Sequence, residues 1–105
     1  MKLFKDINFK THPNPYANGI MGTLDLGDGI ILSVIQGEGL YGNAEGNTFE
    51  IALLNGGDYV SLSGYDDVLG WQTPDEIDVI LTELQEDCQK YLKKKQAEKE
   101  ELLND

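Results

Sequence analysis

The chain has 105 residues, 40% of them apolar and 26% charged, the profile of one globular domain rather than a disordered chain. Its formal charge is −11, with no arginine and eight lysines, at positions 2, 5, 10, 90, 93, 94, 95 and 99. That distribution argues against direct nucleic-acid binding and against an anionic membrane surface, both of which are met with lysine and arginine.

Between Thr11 and Gln89 stand fourteen acids and no cation, a formal −14. Charge of that density favours solubility and attraction to basic partners. A chain of this length buries roughly two-thirds of the surface that its unfolded form exposes, enough for one modest core. Cys88 is the single cysteine, so no disulfide forms within the chain and a reducing compartment such as the cytoplasm is expected. Met1-Lys2-Leu3-Phe4-Lys5-Asp6 lacks the apolar run of a signal peptide. No stretch approaches the length of a membrane span.

In chain order, Thr11-His12-Pro13-Asn14-Pro15 predicts an extended lead-in, with an edge strand near Leu3–Phe9. Gly19–Leu26 alternates, with Ile20, Gly22, Leu24 and Leu26 on one face, and reads as a half-buried strand. Leu26-Gly27-Asp28-Gly29 is turn chemistry. Ile30–Gln36 follows with both faces apolar, as a central strand. That two-sided character requires a second covering layer, either the N-terminal segment or a second protomer. Gly37–Asn47 reads as a glycine-rich loop. Thr48–Leu54 is a third strand, with Phe49, Ile51 and Leu53 on one face. Asn55-Gly56-Gly57-Asp58 is a second hairpin turn, and Tyr59–Ser63 a fourth strand. Gly64–Gln72 is expected as an ordered connection.

Thr73-Pro74-Asp75-Glu76 is a helix start: threonine at the N-cap, proline at the first helical position, and glutamate completing a capping box. Ile77, Leu81, Leu84, Cys88 and Tyr91 then form one apolar stripe. Beyond Leu92 the stripe turns charged. The division is therefore a domain over residues 1–92 and a charged helical tail over 93–105, extended into solvent. The fold expected is α+β: a mainly antiparallel meander of about four strands with one C-terminal helix packed on one face.

Chemistry is sparse. Gly37-Glu38-Gly39-Leu40-Tyr41-Gly42 matches the spacing of a dinucleotide loop, but no helix follows it and Glu38 and Glu45 repel phosphate. Asp25 with Asp28, and Asp66 with Asp67, are paired carboxylates of the kind used by hydrolases or cations. Such pairs also arise in any acidic chain, and Asp28 already serves a turn. His12 sits in the lead-in, and Cys88 on a buried stripe has little access as a nucleophile. No catalytic residue, metal or cofactor is assigned. Trp71, Tyr65, Tyr59 and Tyr41 are candidate surface aromatics that could anchor a protein interface; for Trp71 the favoured reading is a core plug at the sheet–helix junction, and Tyr41, at a loop tip, is the better candidate for exposure.

Gly29-Ile-Ile-Leu-Ser-Val-Ile35, Tyr41-Gly42, Phe49-Glu-Ile-Ala-Leu-Leu54 and Asp66-Asp-Val-Leu-Gly-Trp-Gln-Thr73 resemble a group of short bacteriophage and prophage proteins. The likeness spans about residues 19–85. It implies a setting, a phage-encoded accessory protein inside a bacterial cell, and no activity.

The leading expectation is a non-enzymatic binding protein that modulates or inhibits a host or phage protein by covering a basic surface. Asp25, Asp28, Glu38, Tyr41, Glu45, Asp66 and Asp67 are the candidate contact residues. In its sharpest form the carboxylates mimic nucleic-acid phosphate. Two alternatives stand beside it: a small carboxylate- or metal-dependent hydrolase built on Asp66 and Asp67, and a structural phage component or homodimer assembled through the helix.

Overall fold

The side chains of Ile30–Gln36 alternate strictly between buried and half-buried, and the architecture follows from which of the two rows is covered. The computed structural model describes residues 1–62 and 67–104, with side chains through Leu102. Its strands are β1 (Lys10–Thr11), β2 (Ile20–Gly27), β3 (Ile30–Gln36), β4 (Phe49–Asn55), β5 (Asp58–Val60) and β6 (Val68–Gln72). Two helices close the chain, α1 (Pro74–Glu86) and α2 (Cys88–Asn104). The fold is α+β with an antiparallel sheet in the order β1-β2-β3-β4-β5, and β6 also pairs with β4.

The sheet therefore has more strands than the four expected, for two reasons. Lys10–Thr11 adds a short edge to β2. At the other edge β5 and β6 share one side of β4. Leu53 and Ala52 are adjacent on β4, yet they pair with Val60 and Val68. The chain leaves the ladder after Val60 and rejoins it at Val68, so one edge is built from two short strands. Ser63, with which the fourth strand was expected to end, lies outside the described residues, as do Gly64 and Tyr65.

The hairpin between β2 and β3 turns on three consecutive residues with positive φ: Gly27 at 89°, Asp28 at 54° and Gly29 at 81°. Only glycine, asparagine and aspartate enter that region readily. The Asp25 carboxylate accepts the Gly27 N–H at 2.9 Å and fixes the entry to the turn.

One row of β3, Ile30, Leu32 and Val34, is buried with Leu24, Phe49, Ile51 and Leu53 of its neighbours. Ile77, Leu81 and Leu84 of α1, Tyr91 of α2, and Ile7 and Leu62 complete this core. The N-terminal segment joins the same side. It forms a 3-10 turn at Phe4–Asp6 where an edge strand was expected, because the Asp6 carboxylate accepts the Leu3 N–H at 2.8 Å and closes the turn locally. Phe4 packs edge-on against Phe49 and tilted against Phe9, with ring centroids 5.1 and 5.7 Å away. Its N–H donates to Asp78 of α1 at 2.7 Å.

The capping box at Thr73 is formed, with Glu76 N–H donating to Thr73 Oγ1 at 3.2 Å. The single helix expected is in fact two. Asp87 adopts an extended conformation, with φ −155° and ψ 90°. Its carboxylate accepts the Lys90 N–H at 3.0 Å, so one aspartate ends α1 and caps α2. Lys93, Lys95 and Lys99 of α2 line a groove of about 370 Å³ with Tyr59 and Val60 of β5.

Two stability measurements follow. Leu32→Ala is expected to cost about 3 kcal/mol, against under about 1 kcal/mol for Ile31→Ala on the other row; equal losses in urea denaturation would contradict a one-sided core. Burial, with Glu83 and Glu98 nearby, pushes the Tyr91 hydroxyl up to about 12. The folded state thus holds that proton more tightly than the unfolded chain. Its contribution is complete below the unfolded value of about 10 and is lost as pH climbs towards 12. Tyr91→Phe should flatten the fall in stability over that window.

Candidate protein-binding face

The second row of the sheet is uncovered by helix or N-terminal segment. Cross-strand partners share a face, so three rungs can be read from the register. Lys10, Met21, Ile35 and Glu50 form one; Thr23, Ser33, Ala52 and Val68 the next; Asp25, Ile31, Leu54 and Tyr59 the third. Met21, Ile31, Ile35 and Leu54 are half-buried by one another and do not pack on the core. Two apolar pairs, Met21 with Ile35 and Ile31 with Leu54, flank a middle rung that carries the hydroxyls of Thr23 and Ser33, and the charges stand at the margins.

Tyr41 and Trp71 meet at one corner of that sheet. Phe49 pairs with Gln72 and Ile51 with Leu69, so two β6 residues, Gly70 and Trp71, stand opposite Glu50. This is a β-bulge, a device that bends a strand and re-aims a side chain. Trp71 sits in the left-handed region with φ 58° and is 53% exposed. A core plug was expected; the bulge turns the indole outward instead. The Trp71 N–H donates to the Tyr41 carbonyl at 2.7 Å. The Tyr41 N–H donates to Glu50 Oε1 at 3.2 Å. Gly70 makes the approach possible, since a Cβ there would stand 2.6 Å from Tyr41 Cβ. Tyr41 is 58% exposed.

The candidate acids do not converge. Asp25 and Asp28 lie at the hairpin end of the sheet, Glu38 and Glu45 at the opposite end. The seven residues of β3 separate the two ends, roughly 20 Å. Glu38 and Glu45 line one groove beside Asn18 and Gly19. That loop is held from below by buried Gln36, whose amide donates to Thr48 O at 3.1 Å and Asn43 O at 3.3 Å. Asp28 faces away from the open row, lining a cavity of about 500 Å³ with Leu84 and Cys88. Asp67 is exposed at the entry to β6, and its partner in the predicted pair, Asp66, lies outside the described residues. Glu50 was not among the residues singled out for contact, and Trp71 was weighed as an interface aromatic with burial favoured. The two-sided apolar pattern of Ile30–Ile35 was the one signal of an interactive face.

Burial, with Asp28 and Asp87 beside it, pushes the Cys88 thiol up, which disfavours the reactive thiolate. His12 bonds to Gly19 through its backbone N–H, at the end of β2 remote from the turn that Cys88 approaches. The Gly37–Gly42 loop leads into strand β4 and not into a helix. Among the described residues, no three His, Cys, Asp or Glu side chains are grouped to hold a metal. No described helix is long and apolar enough to cross a membrane. Comparison with family models, with curated proteins and with solved structures finds no match.

The left-handed backbone at Trp71 costs about 1 kcal/mol in any residue with a Cβ. Trp71→Gly is therefore expected to hold or raise the thermal midpoint, while Trp71→Val lowers it. If both variants fell equally, ring packing and not backbone strain would govern the position.

Proposed function

We propose that this protein is a non-enzymatic binding protein whose uncovered sheet face docks another protein. The observation that carries the reading is the Tyr41–Trp71 corner. Backbone strain concentrates at sites where structure serves function. Here it displays a tryptophan beside a tyrosine, the side chains that most often anchor protein interfaces. The apolar rungs of Met21, Ile35, Ile31 and Leu54 extend that anchor into a patch. The surrounding carboxylates, Asp25, Glu38, Glu45 and Asp67, supply a rim that steers a basic partner.

The resemblance to phage proteins supports a setting in the bacterial cytoplasm, with a host protein as the partner and its inhibition or modulation as the outcome. The wide separation of the acids favours an anchored interface over a phosphate mimic. A mimic relies on a closely spaced row of charge, and here the charges stand apart at the margins of the face.

The test is affinity capture from bacterial lysate with mass spectrometry, using the wild-type chain and Trp71→Ala in parallel. A specific partner should be recovered by the wild type and depleted at least about tenfold by Trp71→Ala, the loss of one interface anchor. Circular dichroism of the variant should match the wild type. A partner retained equally by both chains would overturn the reading.

A further inference from the structure

We propose that the corner formed by Tyr41, Glu50 and Trp71 receives an arginine side chain from a basic segment of the partner protein. The proposal rests on the binding reading above and names the chemistry of the docked residue.

Three features of the corner converge on that ligand. The first is the pair of exposed aromatic rings, whose faces attract cations, arginine more often than lysine. The second is Glu50. It is half-buried at the edge of an apolar face, and its one hydrogen bond is from the Tyr41 backbone. A carboxylate has room for about four hydrogen bonds, so most of its accepting capacity remains. Among the described residues the one ion pair is Lys95 with Glu98. The cation on Glu50's own rung is Lys10, three strands away across Ile35 and Met21, roughly 14 Å.

The third feature is what the corner would do to other ligands. An apolar side chain docked here would strip water from Glu50 and supply no counter-charge, which is costly. An acidic one would meet Glu50, with Glu38 and Glu45 flanking Tyr41 in the same loop. No lysine or arginine between residues 11 and 89 offsets them. A guanidinium satisfies all parts at once. It is planar, stacks on aromatic rings, and presents paired donors to a carboxylate. Lysine brings the charge without the plane. A second copy of this chain has no arginine to offer.

Trp71 is the only tryptophan in the chain, so its fluorescence reports on this corner alone. The experiment titrates the full chain with a short synthetic peptide of alternating arginine and glycine. The matching lysine–glycine peptide is run beside it. The expected result is a saturable change in Trp71 emission, with the arginine peptide bound at least about fivefold tighter than the lysine peptide. Glu50→Gln keeps an acceptor for the Tyr41 N–H while removing the charge. It should weaken arginine-peptide binding by at least about fivefold, whereas Glu83→Gln on α1 should leave it unchanged.

Equal affinity for the two peptides, or equal losses in Glu50→Gln and Glu83→Gln, would reduce the effect to diffuse attraction and overturn the assignment. An emission change that tracks protein concentration without peptide would identify a second copy as the occupant, and would also overturn it. The two proposals fail separately. If the arginine peptide does not bind but Trp71→Ala still loses its lysate partner, binding stands and the arginine falls. If Trp71→Ala keeps that partner, the binding reading itself is lost.

Discussion

Both side-chain rows of β3 are apolar, and the described residues supply covering material for one of them. The row of Ile30, Leu32 and Val34 takes all of it: α1, the start of α2, Leu62 and the phenylalanines of the N-terminal segment. Once the N-terminal segment is tied to α1 through Asp78 and Gln85, nothing described is left to lie over Ile31 and Ile35. Burial on one side thus defines an open face on the other. The proposed interface is the remainder of the packing that stabilises the fold.

What could be read in the sequence was local chemistry. The Gly-Asp-Gly turn, the period-two pattern of β2 and the capping box at Thr73 are each specified by a few adjacent residues, and each stands where expected. What could not be read was set by distant partners. Lys10–Thr11 is a strand only because β2 offers it an edge. Val68–Gln72 is a strand only because the upper half of β4 is free after β5 ends. Its sequence, Val-Leu-Gly-Trp-Gln, has no alternation because a bulge interrupts it. Asp87 lies within a continuous helical pattern, and its competing side-chain bond to Lys90 N–H splits the helix in two.

The candidate site shows the same division. Tyr41 lies exposed at a loop tip, as glycines on either side suggest. Glu38 and Glu45 share a groove because their loop folds back on Gln36. Trp71 was misplaced, since tryptophan's large apolar surface argues for burial. The bulge, the left-handed φ and the Gly70 contact that turn it outward are properties of the pairing with β4. Charge counting found many acids and no means of choosing among them. Register separates Glu50, on the open face and bonded to the Tyr41 backbone, from Asp28, which faces the helices.

An open apolar face in a stable protein must also be kept from its own kind. The edges of this sheet are short, two residues in β1 and three in β5, which limits strand-to-strand association. Across the face itself the guard is charge. Each copy carries −11, and two sheets packed face to face lie about 10 Å apart, comparable to the screening length at physiological salt. Like charges at the margins of both sheets would therefore repel before the apolar pairs met. In the proposed reading, the field that opposes a second copy also draws in a cationic partner. In this reading the fourteen acids of the central interval need not touch the partner individually. They select the sign of what may approach, and the corner at Trp71 selects its shape.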